Sequence, residues 1–176
     1  MVGVRFVVYV NRSVKFNLPN GNSLDILENV FDRMREWIQD DATKPESCGF
    51  LLGYENRDTH NITLADITVP QSGDYRSRFL CKISDALHFH FLKNSKKWGN
   101  FYMGVWHTHP QKFPNASSID WNDWAEILRK DKTGSNYAFF IILGETEFRI
   151  WAGDFTTLSI VEIHEAGIEN GIYLKG

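Results

Sequence analysis

The stretch that most limits the fold runs from Met103 to Trp121, M-G-V-W-H-T-H-P-Q-K-F-P-N-A-S-S-I-D-W. His107 and His109 stand two apart at the end of an apolar run, and Pro110 pushes the residue before it to extended geometry. In a strand a two-residue step puts both side chains on one face. The run is therefore read as a strand whose end presents two imidazoles together, half of a metal site. Further on, Asp120 supplies a carboxylate. Two imidazoles, one carboxylate and a place left for water are the donor set of a catalytic zinc; a structural zinc is closed by four protein ligands and usually carries thiolates. Ser117-Ser118-Ile119-Asp120 also reads as a helix N-terminus with a capping box. The two readings are compatible.

Around this stretch the pattern alternates between strands and helices. Val4 to Val10 is rich in β-branched residues and reads as a strand, paired with Val14 to Leu18 across a turn at Asn11-Arg12-Ser13. From Ser23 a helix is expected, with Leu24, Ile26, Leu27, Val30, Phe31, Met34 and Ile38 at helical spacing. Lys44-Pro45 breaks the chain, and Glu46 to Tyr54 reads as a strand whose Gly49 and Gly53 mark a bulge or a close approach, with space near a metal as the reason. Asn61 to Val69 is a partly buried strand, and Pro70 to Phe79 a polar, turn-rich loop. Ser84 to Lys97 is expected to be helical with Leu87, Phe91 and Leu92 as its apolar stripe. His88 and His90 on that helix splay roughly 200° apart and are read as non-ligands. Asn100 to Trp106 is the strand that delivers His107, and Ser117 to Lys130 the helix that carries Asp120, with Trp121, Trp124, Ile127 and Leu128 inward. Three strands of a meander follow: Asn136 to Leu143, Glu147 to Trp151 and Phe155 to Ile163.

A chain of 176 residues is one domain with room for a substantial core. A net charge of −3 gives no electrostatic footprint for nucleic acid. Cys48 and Cys81 are the only two cysteines, too few for a thiolate cage and in no C-x-x-C pair, so a reducing, cytoplasmic setting is expected. No run approaches the ~20 apolar residues of a membrane span. Cys48 shares a strand face with Glu46 and could be a nucleophile beside a histidine, but is read as a small buried residue. Glu46 by itself reads as a surface glutamate at a strand edge.

The string H-T-H-P, six residues, then S-x-x-D, with Glu46 upstream in E-S-C-G-F-L-L-G, resembles the JAB/MPN/Mov34 (JAMM) metallopeptidase family. The resemblance implies an α/β (α+β) fold made of a single JAB/MPN domain over residues 1–176, a mixed, curved central sheet flanked by helices in a cytidine-deaminase-like layering. It implies one Zn2+ held by His107, His109 and Asp120. Glu46 becomes the general base beside the metal water, and Ser117 a donor to the tetrahedral oxyanion. The implied activity is that of a zinc-dependent isopeptidase or peptidase cutting after the C-terminal tail of a ubiquitin-like modifier, from lysine conjugates or from precursors. Tyr75, Arg76 and Arg78 become candidates to hold that tail. The compact size and the wording W-H-T-H-P with S-S-I-D-W look most like prokaryotic JAB proteins of antiphage operons, which adds E1- and E2-like enzymes as partners. Trimming of a sulfur-carrier protein is the neighbouring alternative, and a non-catalytic MPN scaffold is disfavoured by the intact residue set. A deaminase would need H-x-E or C-x-E with P-C-x-x-C, and the sequence holds neither.

Overall fold

The computed structural model describes residues 12–166. The expected strand Val4 to Val10 lies outside them. Within them the chain forms an eight-stranded mixed sheet, in the order β1-β2-β4-β3-β7-β8-β9-β10, with β5 and β6 as a separate two-stranded hairpin.

β1 (Ser13–Asn17) pairs antiparallel with β2 (Ser23–Leu27), which pairs parallel with β4 (Ile62–Ile67). The expected helix from Ser23 is thus corrected. Its first five residues form a strand, because Leu24 and Ile26, both fully buried, also satisfy a period of two and are paired on both sides. Helical periodicity takes over only in α1 (Glu28–Arg35), which buries Val30, Phe31 and Met34 against the sheet.

The centre of the sheet is β3 (Cys48–Glu55), antiparallel to both β4 and β7 (Phe101–Thr108). Its glycines are explained by packing, not by space near a metal. A Cβ on Gly49 would stand 2.0 Å from the Thr68 carbonyl oxygen and 2.7 Å from Nε1 of Trp106, whose indole donates across that gap to Thr68 O. Gly104 has φ +134°, and a Cβ there would meet the Phe139 carbonyl oxygen at 1.9 Å. β7 runs parallel to β8 (Tyr137–Leu143), and β9 (Phe148–Asp154) and β10 (Ile160–Glu162) continue as the expected antiparallel meander. Beyond β10 the chain reaches back to the far edge. Asn17 donates to His164 O and Ala166 to Lys15 O, so the curled sheet nearly closes on itself.

β8 is buried along its whole length. Tyr137, Phe139, Ile141 and Leu143 belong to the core under α1, whereas Ala138, Phe140 and Ile142 pack with Trp124 and Leu128 of α3 (Ser118–Lys130). An unbroken apolar run is what a strand covered on both faces requires. Trp121, expected inward, is 40% exposed.

α2 (Ala86–Ser95) departs further from the expected pattern. Leu87 and Phe91 are 45% and 42% exposed, and the residue this helix buries is His88. Its Nδ1 lies 2.7 Å from Thr68 Oγ1 and its Nε2 2.7 Å from Asp74 Oδ2. A buried polar network therefore seats the helix, in place of an apolar stripe. Among the described residues no helix is long and apolar enough to cross a membrane.

Candidate active site

His107 occupies the last full turn of the pleat in β7, and His109 follows just past the strand end. The residues alternating with them point the other way. Trp106 is fully buried in the larger core, and Thr108 donates to Gln39 Oε1 at 2.9 Å while accepting from the Ser47 N–H at 2.9 Å. His109 N donates to Leu143 O at 2.8 Å, which continues the parallel pairing with β8 one residue further. Both imidazoles are thereby left on the face towards α3.

Ser117 is the N-cap of α3 and closes the expected capping box: Asp120 N donates to Ser117 Oγ at 3.2 Å, and Ser117 N donates to Asp120 Oδ2 at 2.6 Å. The cap turns the Asp120 carboxylate towards the histidines. Its Oδ1 lies 3.0 Å from His107 Nε2, its Oδ2 3.5 Å from His109 Nε2, and the two Nε2 atoms are 3.0 Å apart. Tetrahedral ligands at about 2.0–2.1 Å from zinc stand roughly 3.3 Å from one another. The two imidazole nitrogens and the carboxylate, facing one histidine with each oxygen, are close enough to share one ion, with one ligand atom of each within 4.8 Å of the others, and they form the one group of three or more candidate ligands among the described residues. His88 and His90 are not part of it.

The electrostatics suit a cation. Burial and the neighbouring His107 hold the His109 pKa below its ordinary value, which favours the neutral imidazole a ligand must be. For Asp120 burial pushes upward, but hydrogen bonding and attraction from His107, together with the Ser117 bonds, outweigh it and set the pKa at about 2. Glu46 is 6% exposed, with Oε1 3.9 Å from His109 Nε2. Burial raises its pKa to about 7, the Asp120 charge adding to the rise while His107 and the Cys81 N–H oppose it. A carboxylate with that affinity for protons is matched to proton transfer near neutrality.

These groups line a cleft of about 510 Å³ between α3 and the hairpin of β5 (Tyr75–Ser77) and β6 (Leu80–Lys82). Cys48, expected as a small buried thiol, is disulfide-bonded to Cys81 on that hairpin, so β3 and β6 are joined at the cleft wall. The expectation of two reduced cysteines is corrected, because the fold brings their Cα atoms to 5.9 Å. The three tail-binding candidates lie on the same hairpin. Tyr75 is 57% exposed. Arg78 donates to Ala42 O and covers the Phe79 ring. Arg76 points inward to the backbone of Glu46. Sequence reasoning missed Gln39, which is 2% exposed and ties Thr108 to the carbonyls of Lys44 and Arg78. As a lone glutamine after an amphipathic helix it carried no signal.

A mixed sheet that delivers a histidine pair opposite a capped acidic helix start defines a JAB-type domain. The model of the family described as prokaryotic homologs of the JAB domain matches residues 27–153, and the chain belongs to this family. Its relatives include two proteins named CD-NTase/cGAS isopeptidase. The one from Vibrio cholerae is 30% identical over 133 residues, 73% of this chain and 79% of the relative. The one from Escherichia coli is 32% identical over 135 residues, 75% of this chain and 81% of the relative. A third protein of that name, from Pseudomonas aeruginosa, is 29% identical over 118 residues.

Proposed function

We propose that this protein is a JAMM-type, zinc-dependent isopeptidase that hydrolyses the amide bond after the C-terminal tail of a modifier protein, and that it serves an antiphage system containing a CD-NTase. The observation that carries the reading is the convergence of His107, His109 and Asp120 with Glu46 beside them on the floor of an open cleft. The names of the relatives support an isopeptide bond as the target and a CD-NTase as a participant in it.

His107, His109 and Asp120 would hold the ion. Once bound, zinc supplies Lewis acidity that makes a water acidic enough to yield hydroxide near neutral pH. Glu46 takes the proton as the water oxygen bonds to the carbonyl carbon, then delivers it to the amine nitrogen as the carbon–nitrogen bond breaks. Ser117 Oγ accepts from the Asp120 N–H, and its O–H, which bonds the Asp120 carboxylate in the free protein, would turn to donate to the developing oxyanion. A tail laid in extended form between the hairpin and α3 would bring its last carbonyl to these groups. Tyr75 and Arg78 are proposed to steady that tail.

The test combines zinc analysis with cleavage of a purified CD-NTase joined through its C-terminal carboxyl to a lysine of a carrier peptide, with a ubiquitin-like tail fused to the same peptide alongside. Wild-type protein should hold about one zinc per chain and release the carrier. His109→Ala should lose the metal, and Glu46→Gln should keep it while slowing cleavage about 10²- to 10⁴-fold. A folded wild-type protein that takes up no zinc when supplied would overturn the enzymatic reading in favour of a binding module.

A further inference from the structure

The catalytic strand does not begin where the general base stands. β3 starts at Cys48, and Glu46 lies before it, outside the sheet ladder. What holds the Glu46 backbone is the β5–β6 hairpin. Glu46 N donates to Ser77 O at 2.7 Å, Glu46 O accepts from Arg76 Nε at 2.7 Å, and the Cys81 N–H donates to the Glu46 carboxylate. Arg76 also reaches one residue further, donating from a terminal nitrogen to Ser47 Oγ at 2.6 Å. Ser47 is in turn fastened to β7, its N–H donating to Thr108 Oγ1 and its carbonyl accepting from Thr108 N. The guanidinium lies over the Trp37 ring, 5.3 Å from its centre and within cation–π range.

We propose that Arg76 is a positioning residue for Glu46, acting through the backbone of the base and not on the substrate. The proposal rests on the reading of Glu46 as general base. Two acceptors on successive residues, one a carbonyl and one a hydroxyl, match a planar fork with fixed donor directions, which a lysine ammonium cannot reproduce. With Arg76 in place, Glu46 and the two histidines are referred to one frame, since Ser47 is bonded both to Arg76 and to the residue between the histidines. Without it, Glu46 keeps its Ser77 bond but loses the second restraint, and a shift on the order of 1 Å at a proton-transfer group is enough to cost about 10²-fold.

The experiment is a double-mutant cycle between Arg76→Ala and Glu46→Gln, with Arg76→Lys as a further variant, using the CD-NTase carrier conjugate as substrate and zinc content as control. Arg76→Ala should lower kcat about 10- to 100-fold with KM within about twofold of wild type and zinc retained, Arg76→Lys should fall between them, and adding Arg76→Ala to Glu46→Gln should cost nothing further. A raised KM at unchanged kcat would overturn the proposal and make Arg76 a substrate contact. So would a full multiplicative loss in the double variant, or wild-type kcat in Arg76→Lys if the alanine variant fails to fold. Wild-type activity in Glu46→Gln alone would overturn the general-base reading itself, whatever the arginine variants do.

Discussion

At the residue scale, this protein repeatedly settles a buried polar group by surrounding it with donors. Asp74 and His88 are both fully buried at the side chain and bonded to each other. For Asp74 burial alone, the largest influence, would raise the pKa. Donation from the N–H groups of Gln71, Asp85 and Ser84, together with His88, outweighs it, so the carboxyl titrates below its ordinary value. A carboxyl whose folded pKa is depressed adds stability above its unfolded value of about 3.9, and that stability is lost as pH falls through the lower folded value. Asp74→Asn should therefore be less stable than wild type at pH 7, with the gap closing as the pH falls below the unfolded value and on through the lower folded one. Urea melts of both proteins, freed of metal with chelator so that ligand protonation does not intrude, would show it. A gap that stays constant as the pH falls would mean that the Asp74 charge is not what the network stabilises.

At the scale of elements, the strands and helices that carry the site were legible because each is locally determined. Pro110 and the i, i+2 histidines dictate the end of β7, and the Ser117 and Asp120 spacing dictates the start of α3. Ser23–Leu27 was misread because Leu24, Ile26 and Leu27 fit both periods, and only pairing with β1 and β4, remote in sequence, decides between them. The α2 stripe failed for a related reason: His88 outcompetes Leu87 and Phe91 for the interior through a network that no periodicity encodes. The hairpin hid inside a stretch that looked like a polar loop, and with it the bond between Cys48 and Cys81. That bond closes a loop across a sequence separation of 33. On a loop-entropy view it is worth roughly 3–4 kcal/mol, or about 10 °C in melting temperature for a chain of this size. Cys81→Ser should show a loss of that order in a thermal melt and, assayed well below its own midpoint, keep most of its activity and its zinc. A fall in rate as deep as that of Glu46→Gln would instead give the sulfur a chemical part in the reaction.

Across the whole molecule, the site is where the two cores meet. His107 and His109 end the strand that packs Trp106 into the larger core, Asp120 opens the helix that packs Trp124 and Leu128 into the smaller one, and β8 contributes to both. An ion held by all three ligands would therefore bridge α3 to the sheet, and a ligand that binds only the assembled state stabilises that state by mass action. At a free zinc concentration about 100-fold above the dissociation constant the gain is roughly 2.7 kcal/mol, which corresponds to a rise of about 5–10 °C in melting temperature. Calorimetry with and without chelator should show that rise in wild-type protein. It should be absent from His109→Ala and intact in Glu46→Gln, because under the proposed mechanism Glu46 handles the proton and is not a ligand of the ion. Equal melting temperatures with and without zinc in the wild type would mean that these three residues hold no zinc, and a rise that survived in His109→Ala would place the metal elsewhere. A zinc-dependent rise that disappeared in Glu46→Gln would make the glutamate a ligand, and the base would then have to be sought elsewhere in the cleft.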